Sequence, residues 1–466
     1  MRFRRFAALL TATLLPVFMV ACMSAQQAVQ PSSAPKNVIV FVSDGMGYYH
    51  VDAASIYEYG ETGTQPYEQF PIQLGMATYA ATGHSYAGNA AWKDFDYVRR
   101  HATDSAAAAT AMSTGVKTYG GSIGLDMEKQ PLRHMADAAK DLGKSVGIVS
   151  SVQLPHATPA GFIAHNERRG NVEEISRQMI MEKRADVMMG TGHPDYDGDS
   201  KPVDEPSYHL VGGEEVWNML TSGGVSVGDQ TVADANGDGA PDAWTLVQTK
   251  EEFEALVEGD TPARVLGIPM VPRTLQRDRS GDRKAVPPYV HPLIETVPTL
   301  ETMTRGALNV LGKNPEGFFI MIEGGAVDWA GHGNESGRMI EEMVDFNQSV
   351  AAAIEWVEAN GGWEETLMIV TADHETGYLT GPGSGNIEQP DGTVEMVMNP
   401  LVNNGKGNLP GMQWHSGGHT NVLVPFYAKG AGSDQILRYA DEWDPVRGYY
   451  INNTDFAKAV FTLYGE

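Results

Sequence analysis

Cysteine is almost missing from these 466 residues: there is one, Cys22. A single thiol excludes an intramolecular disulfide framework and any cysteine-based metal site, so the core, and whatever ions the chain binds, must hold the fold. Positive charge is also scarce. Thirty-three Lys and Arg stand against 59 Asp and Glu, a formal charge of −26. Such a surface repels phosphate backbones and argues against nucleic acid as a partner. Long apolar runs are few. The run from Phe6 to Ala21 has 16 residues, short of the roughly 20 that a membrane-spanning helix needs. It follows Met-Arg-Phe-Arg-Arg and ends in small residues, the layout of a secretory signal over residues 1–21. Its end, Met19-Val20-Ala21-Cys22, resembles a bacterial lipobox, in which the signal is cut before a lipidated cysteine. Residues 22–36, with Gln, Ser and Pro, read as a flexible tether. The expectation is an exported protein, periplasmic or anchored to the outer membrane through Cys22, with a plain signal peptide and secretion as the alternative.

What is present is an ordinary globular composition, 42% apolar. From Asn37 onward, short apolar runs alternate with helix-like stretches. The runs are Val38–Val42, Ser145–Val149, Phe318–Ile322, Thr366–Val370 and Val422–Ala428, with the β-branched and aromatic content of buried parallel strands. Between them lie Ser105–Ser113, Leu132–Leu142, Val172–Glu182 and Met339–Glu358. This rhythm predicts an α/β fold: a large, mainly parallel central sheet with helices on both faces, in one catalytic domain over 37–466. Ligands in such sheets gather at the carboxyl ends of the strands. Residues 190–295, rich in Gly, Pro and Asp, read as a surface insertion without a second core, and Gly381–Gly411 as a smaller one.

Three of the expected strands run into carboxylates: Ser43-Asp44-Gly45, Glu323-Gly324-Gly325 and Thr371-Ala372-Asp373-His374. One acidic strand end is turn chemistry. Three would place repelling charges at the functional edge unless a cation or proton intervenes. Asp328 and His332 are four apart and share a helix face. His374 adjoins Asp373, and His419 precedes the last run, with His415 as a nearby rival. Mixed His and carboxylate sets suit zinc, whereas all-oxygen sets suit magnesium. Ser105, in Thr103-Asp104-Ser105-Ala106-Ala107, opens an alanine-rich helix. The residues there are ordinary helix caps, but a helix N-terminus also attracts phosphate.

Taken in order, Asp44-Gly45-Met46-Gly47, Thr103-Asp104-Ser105-Ala106-Ala107, Ser113-Thr114-Gly115-Val116-Lys117-Thr118-Tyr119, Glu323-Gly324 to His332, Thr371-Ala372-Asp373-His374 and His419-Thr420 resemble the alkaline phosphatase family. The resemblance runs from about Asn37 to the C-terminus. It implies hydrolysis of small phosphate monoesters through a phosphoserine on Ser105, with two zinc ions and one magnesium, in a homodimer. By position, Asp328, His332 and His419 resemble the ligands of one zinc. Asp373 and His374 resemble those of the second, with Asp44 bridging to a third ion that Glu323 and Thr158 complete. Arg169 matches the residue that clamps phosphate, and Asp104 the residue that orients it. His156 and Trp329 depart from the best-known bacterial pattern, which has Asp and Lys there. Both changes bear on the third ion, and His156 is itself a candidate ligand.

Rival readings on related folds fare worse. A sulfatase needs a modifiable Cys or Ser motif, and no such Cys exists; a nucleotide phosphodiesterase usually presents Thr and lacks the Arg169 segment. A metal-binding lipoprotein without activity is the alternative from another class. Separately, Asp234, Asn236, Asp238 and Asp242 alternate around turn glycines as in a calcium loop, but Thr245 stands where an EF-hand has its closing Glu.

Overall fold

The computed structural model describes residues 34–183, 185–284 and 286–466. The expected signal segment, Cys22 and most of the tether lie outside them. Eleven strands form one sheet: β1 (Asn37–Ser43), β2 (Ile72–Ala77), β3 (Ser145–Gln153), β4 (Val187–Thr191), β5 (Thr245–Val247), β6 (Val265–Gly267), β7 (Phe318–Gly324), β8 (Thr366–Thr371), β9 (Val424–Gly430), β10 (Glu442–Asp444) and β11 (Gly448–Asn452). Their spatial order is β10-β11-β2-β9-β8-β1-β7-β3-β4-β6-β5. All pairs from β8 across to β5 are parallel.

The central strands are apolar through their middles, with polar residues confined to their ends, because helices cover both faces. Every residue of β1, β7 and β8 is buried. One helix group comprises α1 (Tyr48–Tyr59), α6 (Leu300–Leu311), α7 (Ala326–Gly333) and α8 (Ser336–Ala359). The other includes α2 (Ser105–Thr114), α3 (Met135–Asp141) and α4 (Ala157–Gly161), while α5 (Val172–Glu182) lies beyond. Phe41 of β1 meets Phe346 of α8 edge to face, with ring centroids 5.8 Å apart, and locks the first group to the sheet.

Register sets up the functional edge. Val42 lies opposite Glu323 on one side and Thr371 on the other, and Ser150 of β3 lies opposite Glu323. Asp44 and Asp373 therefore follow neighbouring strands at one level, and Glu323 stands two residues earlier on β7 beside them. Gly45 makes the turn after β1 at φ 81°, and a Cβ there would stand 2.6 Å from the Asp328 backbone. Only glycine lets β1 and α7 approach so closely.

Two expectations need correction. The run Val422–Ala428 is not a parallel strand: β9 starts at Val424 and runs antiparallel to both β8 and β2. Sequence pattern alone cannot separate the two cases, because this strand too is buried on both faces. The stretch 190–295 is more than a surface insertion, since β5 and β6 extend the sheet edge. Val216, Trp217, Trp244 and Phe253 of this stretch join the main hydrophobic core.

Candidate active site

Ser105 is the first residue of α2, capped by Asp104, whose Oδ1 accepts from the Ala107 backbone N–H at 3.2 Å. The alanine run favours the helix, and its small side chains allow close approach to α4: a Cβ on Gly161 would stand 2.6 Å from Ala109 Cβ. The Ser105 hydroxyl is buried and lies 3.2 Å from His374 Nε2. His374 Nε2 is in turn 3.2 Å from Asp373 Oδ2 and 3.5 Å from Asp44 Oδ1. On α7, the four-residue spacing works as expected. Asp328 Oδ1 lies 3.4 Å from His332 Nε2 and 3.4 Å from His419 Nε2. His415 stays away: its Nε2 meets the Thr380 hydroxyl at 2.8 Å.

Among the described residues, three groups bring ligand atoms within 4.8 Å of one another: Asp328, His332 and His419; Asp44, Asp328 and His374; and Asp44, His156 and Glu323. The loop at 234–242 is not one of them. The donor census favours cations. Both oxygens of Asp44, Oδ2 of Asp373, Oε1 of Glu323 and the Thr158 hydroxyl are buried without a hydrogen-bond partner. Orphaned buried oxygens are costly unless something positive fills the space between them.

Electrostatics agrees. Burial, then Asp373, Asp328 and Glu323, lifts Asp44 well above the usual carboxylate range. Burial pushes Glu323 up to about 8 and Asp373 to about 6. Burial also raises Asp328, yet His419, His374 and His332 outweigh it and hold that carboxyl low. His374 is driven well down, first by burial and then by His419. Without cations these acids cannot all be charged together. The donor set fits metal ions: imidazoles with one carboxylate at Asp328, and mostly oxygen at Asp44, Glu323 and Thr158.

Arg169 reaches the same edge. Its Nη1 donates to Asp104 Oδ2 at 3.1 Å, and its backbone N–H donates to Gly121 O. Asp104 also accepts from Gly121 N, so one carboxylate ties helix, loop and arginine together. Arg169 Nη2 faces His156 Nε2 at 3.3 Å. Burial, then Arg169, holds His156 down at about 3, so the ring is neutral and accepts. A neutral ring that accepts at Nε2 keeps its proton on Nδ1. Trp329 packs edge-on against that ring, with centroids 5.7 Å apart.

A sequence model of the alkaline phosphatase family matches residues 35–409. A relative named alkaline phosphatase from Escherichia fergusonii is 33% identical over 434 residues, covering 88% of this chain and 84% of that one. The chain belongs to the alkaline phosphatase family. Alkaline phosphatase 4 of Bacillus subtilis is 30% identical over 355 residues, which is 75% of this chain and only 64%, just under two thirds, of that relative. The structure of alkaline phosphatase from the Antarctic bacterium TAB5 superimposes with a TM-score of 0.63 at 23% identity, covering 93% of this chain and 99% of that one, and so shares the fold. Family members are phosphomonoesterase hydrolases that use metal ions.

Sequence reasoning missed the residues that aim these ligands. Thr376 donates to Asp328 Oδ1 at 2.5 Å and lies 3.3 Å from His374 Nδ1. Ser150 holds Glu323 Oε2. The backbone oxygens of Thr103 and Gly417 meet His419 Nδ1 and His332 Nδ1 at 2.8 and 2.7 Å. Such partners turn the other ring nitrogen toward a metal. Thr376 stands two residues after His374, but nothing local distinguishes it from any strand threonine.

Proposed function

We propose that this chain hydrolyses phosphate monoesters through a phosphoserine on Ser105, at a site holding two zinc ions and one magnesium. Asp328, His332 and His419 would hold one zinc, and Asp373 and His374 the other. Asp44 would lie between the second zinc and the magnesium, with Glu323, Thr158 and His156 beside the third ion. When bound, these ions stabilise the serine oxygen, the leaving oxygen and the hydrolytic water as negative charge develops. The protein's own part is positioning. Ser105 Oγ forms the bond to phosphorus as the ester oxygen departs, and water then cleaves the phosphoserine to inorganic phosphate. The N-terminus of α2 favours the anion. Arg169 has five N–H donors; one serves Asp104 and one faces His156, which leaves the remainder for phosphate oxygens. The observation that carries the reading is the convergence of a buried serine with eight acid and histidine side chains, Asp44, His156, Glu323, Asp328, His332, Asp373, His374 and His419, at one sheet edge.

Ser105→Ala tests it: p-nitrophenyl phosphate turnover should fall on the order of a thousandfold or more, with metal content retained. Chelation should abolish turnover, and zinc plus magnesium should restore it. Full activity in the alanine variant would end the proposal. The calcium reading of the 234–242 loop gains no comparable support, because its carboxylates already accept backbone N–H groups. We further infer export, lipid anchoring at Cys22 and assembly as a homodimer. Fractionation of Cys22→Ser and light scattering of the purified protein test these.

A further inference from the structure

Outward from the phosphate clamp, side chains form a continuous row. Arg169 faces His156 at 3.3 Å, and His156 packs against Trp329 with centroids 5.7 Å apart. The guanidinium of Arg273 lies over the Trp329 ring, 4.7 Å from its centroid. Arg273 is held in place from behind: its Nε meets Asp278 Oδ2 at 3.3 Å, while its side chain is 56% exposed. Its terminal nitrogens make no hydrogen bond among the described residues. The segment carrying it leans on the end of β3, through Leu275 N to Ser151 O at 3.0 Å and a bridge between Thr274 and Val152.

Charge around Arg273 is unusual for a chain of −26. Asp278 is shared by Arg273, Arg277 and Arg283, and Glu335 by Arg277 and Arg283. Three guanidinium groups thus face two carboxylates. Arg277 also donates to the Trp329 backbone O at 3.0 Å, which fixes this cluster to α7 and its metal-competent residues. An arginine stacked on an aromatic face, with its fork open to solvent, is arranged to receive an anion bidentately.

We propose that Arg273 is a specificity residue: it binds a second anionic group on the leaving group, so the favoured substrates are phosphomonoesters that also carry a phosphate, sulfonate or carboxylate. This rests on the phosphomonoesterase reading above. The clamp at Arg169 takes the reacting phosphoryl group, Trp329 flanks the ester oxygen's substituent, and Arg273 engages the distal charge.

The test compares kcat/KM for 4-sulfophenyl phosphate and phenyl phosphate, taken as a ratio so that leaving-group reactivity cancels between variants. In Arg273→Ala the ratio should fall about tenfold. In Arg273→Glu it should fall further, and in Arg273→Lys it should recover in part. Raising salt should shrink the difference, because the contact is exposed. Calorimetric binding of 4-sulfophenyl phosphate to Ser105→Ala, with and without Arg273→Ala, should show the same loss. A ratio within twofold of the parent in both the Ala and Glu variants would overturn the assignment while leaving the phosphomonoesterase reading intact. A parent enzyme that hydrolyses neither ester would sink both.

Discussion

Asp44 and Asp242 carry the same carboxylate in opposite surroundings. Asp44 follows directly on a buried strand, is fully enclosed, and has no hydrogen-bond donor at either oxygen. Asp242 sits in a loop where Ala235 N and Asn236 N reach its Oδ2 at 2.8 and 3.1 Å, and the Asn236 amide reaches Oδ1 at 3.1 Å. The loop satisfies its acids from its own backbone. The strand edge collects acids and withholds donors, which leaves cations as the partners that complete it. Acidic residues at turn-like spacing are therefore weak pointers to metal, whereas acids delivered by buried parallel strands are strong ones.

The sharpest way to break this contrast is to remove the metals and vary pH. In the chelated protein, burial lifts Glu323 to about 8 and Asp373 to about 6, above the roughly 4 of an unfolded chain. A raised carboxyl pKa means that the folded state binds more protons than the unfolded one, so stability falls as pH rises through that window. Below pH 6.5 the depressed histidines act in the opposite sense. Between pH 6.5 and 8 Glu323 titrates at the site, while Lys117, lowered to about 7, and Glu342 and Glu375, raised to about 8 and 7, also titrate outside it. The site's share is therefore the difference between the chelated and loaded slopes. We expect the chelated protein to lose about 2 kcal/mol more across this range than the zinc- and magnesium-loaded protein. Asp44→Asn should flatten the slope of the chelated form. Equal slopes with and without metal, in denaturant titrations, would remove the contrast.

Arg169 is the next point of attack, as the cation that the chain itself supplies to the site. Arg169→Ala should weaken phosphate inhibition and reduce the monoester-to-diester ratio of kcat/KM by on the order of tenfold to a hundredfold. An unchanged ratio would mean that the guanidinium serves Asp104 and the helix cap only.

Most of this edge was legible in the residues, for a physical reason. Strands with apolar middles that lead into Asp44 and Asp373, or carry Glu323 near their end, announce both their burial and the sheet edge they reach. The i,i+4 pair of Asp328 and His332 needs only one helical turn. What stayed hidden depends on contacts far apart in sequence. Thr376 meets Asp328 across 48 residues, and Thr103 meets His419 across 316. The direction of β9 was hidden as well, since burial on both faces erases the alternation that marks antiparallel strands.

A smaller effect is expected where the site's third ion meets His156. The ring accepts from Arg169 at Nε2, so its Nδ1 carries the proton and does not ligate in that state. His156→Asp with Trp329→Lys adds a negative charge near Asp44 and Glu323 and a positive one near the substrate. Magnesium affinity and phosphate inhibition should both rise, by about tenfold or less. If neither moves in a magnesium titration, both residues only pack beside the site.

The smallest effect should come from the loop. Asp242→Asn keeps one carbonyl oxygen for the Ala235 and Asn236 N–H groups but replaces the other oxygen, which now accepts from Asn236, with a second donor. A half-exposed loop acid that loses one hydrogen bond should cost about 1 kcal/mol or less. Because the carboxylate's partners are backbone and amide donors, calcium added at constant zinc and magnesium should move the thermal midpoint equally little in parent and variant. A calcium-dependent rise in the parent that vanishes in Asp242→Asn would show that the loop releases its own backbone to take an ion. The contrast with Asp44 would then be one of degree. An equal, small response would leave donor supply as what separates an acidic turn from a metal site.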